Sequence, residues 1–88
     1  MARYEVILTK AAVKDADNIV AAGLAPKVRK LLALIEEDPF APYPPYEKLL
    51  GNLTGLYSRR INIQHRLVYQ VLTEEHRVKV LRMWSHYE

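Results

Sequence analysis

Four prolines fall between residues 39 and 45, in the stretch "PFAPYPPY". Proline fixes φ and removes a backbone donor, so a segment this rich in it is neither helix nor interior strand. It forms an extended crossing piece and cuts the chain in two. The sequence before it repeats mainly with a helical period, and the sequence after it with a strand period.

The first half opens on "RYEVIL", which alternates and is β-rich, so residues 3–8 read as a strand. Thr9 is placed as the N-cap of a helix on which Ala12, Ala16, Ile19 and Val20 recur at helical spacing, and Gly23 ends it. Pro26 suits the first turn of a second helix. Val28, Leu31, Leu32 and Ile35 form its apolar stripe, with Lys27, Arg29, Lys30, Glu36 and Glu37 off it. Pro39 stops that helix.

Beyond the prolines, Glu47 falls in a loop, and Gly51-Asn52 and Thr54-Gly55 mark turns. Strands are expected over residues 56–63, 66–72 and 77–84, with turns at 62–65 and 73–76. The order is β-α-α-β-β-β. Its simplest compact form is an α+β domain with two helices on one face of a four-stranded, mostly antiparallel sheet. Eighty-eight residues make a single domain, 1–88, with a modest core.

The uncovered face of such a sheet carries the polar residues. Charge points to what this face meets. Residues 1–55 hold seven Lys/Arg and seven Asp/Glu, whereas residues 56–88 hold six and three. The net charge of +3 and all three histidines therefore lie in the C-terminal third. A localised basic surface suits an anionic partner, most often nucleic acid. On residues 66–72, Leu67, Tyr69 and Val71 form the more apolar set, so they face the helices and Arg66 faces away. Arg59 and Arg60 are adjacent, so their side chains point to opposite faces.

Glu47, Arg59, Arg60, His65, Arg66, His86 and Tyr87 are the residues able to carry chemistry. Phosphodiester cleavage on RNA needs a base for the 2′-hydroxyl, cations for the phosphate and an acid for the leaving 5′-oxygen. A carboxylate, arginines and a histidine fill those roles, and RNA brings its own nucleophile. His65 lies in a turn and reads as structural or exposed, and His76 as a loop residue. Three dispersed histidines have no metal-ligand spacing, so no metal site is expected. The chain has no cysteine, which fits a reducing cytosol, and "MARYEVILTK" is neither a signal peptide nor a membrane span.

"NLTGLYSRRI", "HRLVY" and the terminal His-Tyr, together with "YEKLLG", resemble the YoeB/Txe branch of the RelE-like toxins of bacterial toxin–antitoxin modules. The resemblance is close over residues 47–87, with "DPF" as its landmark in the helical half. It implies a microbial-ribonuclease-like α+β fold. It implies an endoribonuclease that enters the ribosomal A site and cleaves mRNA through the substrate's 2′-oxygen, inhibiting translation in the cytoplasm without a metal or other cofactor. Glu47 takes the place of the general base, Arg66 that of the transition-state arginine, His86 that of the general acid, and Tyr87 that of the substrate-orienting aromatic. Arg60 falls on a phosphate-contacting position, with Arg59 and Lys48 as further substrate-binding candidates.

Two departures stand out. Leu50 occupies a position where the family often has lysine, and Glu88 follows the tyrosine at which the family tends to end. The implied partners are the ribosome, mRNA and a YefM-like antitoxin whose C-terminal segment folds onto the toxin. Operator DNA is met only through the antitoxin, and toxin homodimers occur in this branch. Two other activities use the same fold: a catalytically silent co-repressor and a gyrase-inhibiting ParE-like toxin.

Overall fold

A computed structural model of the chain describes residues 3–49 and 55–85. Strand β1 (Glu5–Leu8) leads into helix α1 (Lys10–Ala21). Thr9 caps this helix as its sequence suggests, its hydroxyl oxygen accepting from the Ala12 amide at 3.2 Å. Gly23 follows at φ +75°, a left-handed conformation that suits glycine, and the Leu24 amide closes back on the Ile19 carbonyl at 2.9 Å. Helix α2 (Ala25–Glu37) carries Pro26 in its first turn and buries Val28, Leu31 and Ile35.

The remaining strands are β2 (Tyr46–Lys48), β3 (Leu56–Arg60), β4 (Arg66–Leu72) and β5 (Arg77–Ser85), and the sheet order is β1-β5-β4-β3-β2. All neighbours are antiparallel except β1 and β5, which run parallel. The expected four-stranded sheet thus gains a fifth strand, and Glu47 sits on it rather than in a loop. The reason is local. After the last proline the amides return, and Tyr46, Glu47 and Lys48 pair with Arg59, Ser58 and Tyr57. Three residues are too few to show a period in the sequence.

The core lies between the helices and one face of the sheet. Ala12, Ile19, Val28, Leu31 and Ile35 meet Leu67, Tyr69, Val78, Val80 and Met83. Tyr69 pairs with Val80 and Val71 with Val78, so these strand residues share one face, as the alternation in β4 predicts. Val20, placed on the apolar stripe of α1 by its spacing, is instead 65 % exposed. The crossing segment contains no helix, but instead of running extended it turns at residues 39–40 and bends at 42–44 before β2.

Asp15 of α1 is buried on that interface. Its carboxylate accepts from Arg82 Nε at 2.7 Å and Nη2 at 3.1 Å, and from the amides of Met83 and Trp84 at 2.9 and 3.2 Å. The register of β4 against β5 shifts just here, between Arg66, which pairs with Ser85, and Val68, which pairs with Arg82, and Asp15 takes up the amides of Met83 and Trp84 that lie between those partners. Burial raises its pKa, but the Arg82 hydrogen bond and the two amides outweigh burial and hold the carboxyl below its usual range.

Candidate active site

The register of β2, β3 and β4 assembles the site. Glu47 pairs with Ser58, and Ser58 with Val68. One row along, Arg60 pairs with Arg66. Paired residues share a face, and so do residues two apart on one strand. Glu47, Ser58, Arg60 and Arg66 therefore share the sheet face opposite Leu67 and Tyr69, as the alternation in β4 predicts for Arg66.

Arg66 Nη1 donates to Glu47 Oε1, and the same nitrogen lies 3.4 Å from Ser58 Oγ. The Arg66 side chain is 16 % exposed and that of Glu47 64 %. The guanidinium is thus lodged in the sheet surface while the carboxylate faces solvent. Arg60 is exposed beside it. A groove of about 920 Å³ is lined by these four residues, by Lys27, Lys30, Leu31 and Leu34 of α2, and by Pro44, Pro45, Ile61, Asn62 and Ile63. Among the described residues four cations and one carboxylate line it, so these favour an anion. A carboxylate able to accept a proton stands against a guanidinium fork shaped for phosphate.

Not every sequence candidate joins this row. Arg59 is only 1 % exposed. Its guanidinium donates through Nε to the Tyr69 hydroxyl at 3.0 Å, through Nη1 to the Pro44 carbonyl, and through Nη2 to the carbonyls of Pro39 and Ala41 at 3.1 and 2.9 Å. It has no surface left for substrate, which corrects the expectation that it binds one. Alternation along β3 sends Arg59 inward and Arg60 outward. Lys48 pairs with Tyr57 and, adjacent to Glu47, points to the opposite face of β2. It is not among the residues lining the groove.

His65 is buried, its ring stacked on Trp84 with centroids 3.6 Å apart. His76 lies in the exposed turn before β5, stacked on Tyr4. Among the described residues no three His, Cys, Asp or Glu side chains cluster so as to hold a metal ion. His86 and Tyr87 lie outside the described residues, as do Leu50 and Glu88. Trp84, two positions before His86 in sequence, is fixed from one side by His65 and through its amide by Asp15.

Sequence reasoning missed Ser58, Lys27 and Lys30 as groove residues, and Asp15 as a structural anchor. For Asp15 there was a signal. It stands at helical spacing between Ala12 and Ile19, and a carboxylate on an apolar stripe needs buried partners.

An α+β domain with an open cationic sheet face of this topology is the architecture of the RelE-like toxins. Residues 13–87 match the YoeB-like toxins of bacterial type II toxin–antitoxin systems, and the chain belongs to that family. A toxin YoeB from Mycobacterium bovis is 40 % identical over 63 residues, a match covering 72 % of each chain. Two solved structures from Staphylococcus aureus are each 34 % identical to this chain, covering 98 % of it and 100 % of theirs. One is a YoeB–YefM complex, superposing with a TM-score of 0.78, and the other a YoeB dimer, at 0.81. Among the described residues no helix is long and apolar enough to cross a membrane.

Proposed function

We propose that this toxin is an mRNA endoribonuclease acting in the ribosomal A site. In this reading Glu47 takes the proton from a ribose 2′-hydroxyl, and the 2′-oxygen attacks the adjacent phosphorus. The bond to the 5′-oxygen breaks, leaving a 2′,3′-cyclic phosphate, and His86 protonates the departing oxygen. Arg66 and Arg60 stabilise the charge that grows on the non-bridging oxygens. Tyr87 orients the nucleotide. The nucleophile comes from the substrate, so RNA is cut and DNA is not.

The observation that carries this reading is the row of Glu47, Arg66 and Arg60 on one open sheet face. Base and phosphate clamp are in direct contact there, within a groove whose cations outnumber its carboxylate. Membership of the YoeB-like family supports it. Among the described residues lining the groove, Glu47 is the carboxylate, and that too supports it as the base.

The reading extends to partners. A YefM-like antitoxin with an acidic, foldable segment would complement the basic groove and mask it. The test is primer extension on a translated mRNA, with wild-type protein and His86→Ala in parallel. Cuts within A-site codons that vanish in the variant are expected. Absence of cuts from folded wild-type protein would overturn the reading and favour a silent co-repressor.

A further inference from the structure

Arg59 is withdrawn from substrate, yet it is among the largest fully buried side chains of the protein. Burying a guanidinium is costly unless its donors are met, and here Nε is met by the Tyr69 hydroxyl and Nη1 and Nη2 by one segment. The carbonyls of Pro39, Ala41 and Pro44 all accept from it. That segment has few means of ordering itself. Its prolines have no N–H, and it makes no helix or strand until Tyr46.

The same side chain holds the strand that follows. Arg59 is the direct partner of Tyr46 in the sheet, and its guanidinium carbon sits 5.0 Å from the centre of the Tyr46 ring. Tyr69 completes the arrangement, its hydroxyl donating to the Pro39 carbonyl at 2.8 Å while accepting from Arg59 Nε. β2 is an edge strand of three residues, paired on one side to β3. Such a strand has few hydrogen bonds of its own to keep it in register.

We propose that Arg59 is a positioning residue for Glu47: by tying the carbonyls of Pro39, Ala41 and Pro44 and the ring of Tyr46 to β3, it fixes where β2 presents the Glu47 carboxylate. Arg59 and Glu47 point to opposite faces of the sheet, so the effect passes through the backbone of β2 and not through contact. A lysine cannot replace this, because a single ammonium lacks the planar fork that reaches three carbonyls and a hydroxyl together. The inference rests on the reading of Glu47 as the base.

The test is a double-variant cycle on the full chain. Arg59→Lys, Tyr69→Phe, Glu47→Gln and the pairs Arg59→Lys/Glu47→Gln and Tyr69→Phe/Glu47→Gln are assayed for cleavage on programmed ribosomes, with folding checked by circular dichroism. Positioning predicts that Arg59→Lys lowers the saturating rate by about 10- to 100-fold with KM little changed. It also predicts that each pair is no slower than Glu47→Gln alone, since a misplaced base and an absent base cost the same step. Tyr69→Phe, which keeps the ring and loses the hydroxyl, shows the same pattern in smaller measure and carries the cycle if Arg59→Lys does not fold. Losses that multiply in the pairs, or that fall on KM alone, overturn the positioning role. A Glu47→Gln protein with the wild-type rate overturns it one step earlier, by removing the base assignment itself.

Discussion

Arg66 on β4 reaches across β3 to donate to Glu47 on β2, passing Ser58 on the way. Two side chains 19 residues apart in sequence thus close on each other over an intervening strand. In the proposed reaction both are wanted by the substrate, the carboxylate by the 2′-hydroxyl and the guanidinium by the phosphate. A phosphate entering the groove competes with Glu47 for Arg66, and in winning it frees the carboxylate. The contact keeps the two groups oriented until then.

Arg66→Ala is therefore expected to lower the saturating cleavage rate by about 100- to 1,000-fold, the loss typical of removing one transition-state donor. Arg66→Lys keeps the charge but not the planar fork that suits a phosphate, and falls between. Single-turnover cleavage on programmed ribosomes measures both. Wild-type rates in the alanine variant would falsify the assignment of Arg66.

His86→Ala is expected to abolish growth arrest while leaving thermal unfolding within a degree or two of wild type. Induction in a growing culture and a melting curve of the purified protein are the two measurements. A toxic variant sinks the acid role.

Asp15 gives the fold an acid-sensitive anchor. Its pKa lies below the usual carboxylate value, because the hydrogen bonds from Arg82, Met83 and Trp84 outweigh the opposing effect of burial. The stabilisation it brings is complete above the unfolded value of about 4 and is lost as pH falls through the lower folded value. Asp15→Asn keeps a carbonyl acceptor but loses the charge, and is expected to cost about 2–4 kcal/mol near neutral pH. Urea melts at pH 7 and pH 3 check this: the gap between wild type and variant should narrow at the lower pH. A constant gap would show that the carboxylate charge is not what matters.

Gly23→Ala places a Cβ on a residue at φ +75° with no atom within 4 Å to obstruct it. The penalty is then backbone strain alone, about 1–2 kcal/mol. Chemical denaturation reads it directly, and an unchanged midpoint would mean that the α1–α2 turn relaxes.

Much of this architecture was legible before any coordinates. Thr9, Gly23, Pro26 and Pro39 are local signals, and each sits where its own backbone chemistry demands. The alternation of Leu67, Tyr69 and Val71 correctly oriented β4, and with it Arg66. What escaped was non-local. β2 exists only because β3 offers it a partner, and three residues after a proline run carry no period. Arg59 stood among the substrate-binding candidates beside Arg60, and the acceptors that bury it, at Pro39, Ala41 and Pro44, are 15 to 20 residues away in sequence. The stripe of α1 hinted that Asp15 is buried, but not that its partners are amides on β5.

The parallel pairing of Glu5–Leu8 with Arg77–Val80 has a consequence for how the toxin comes into being. During synthesis the first strand emerges early, but its neighbour in the sheet is the last described strand to be made. Val78, Val80 and Met83, the β5 share of the core, arrive only then. Until they do, the helices have half a floor to lie on and β1 has no neighbour. Contacts that span so much chain also form slowly. The nascent polypeptide is thus still unassembled while the machine that makes it is working on it, and the domain closes only after its final strand has cleared the exit tunnel.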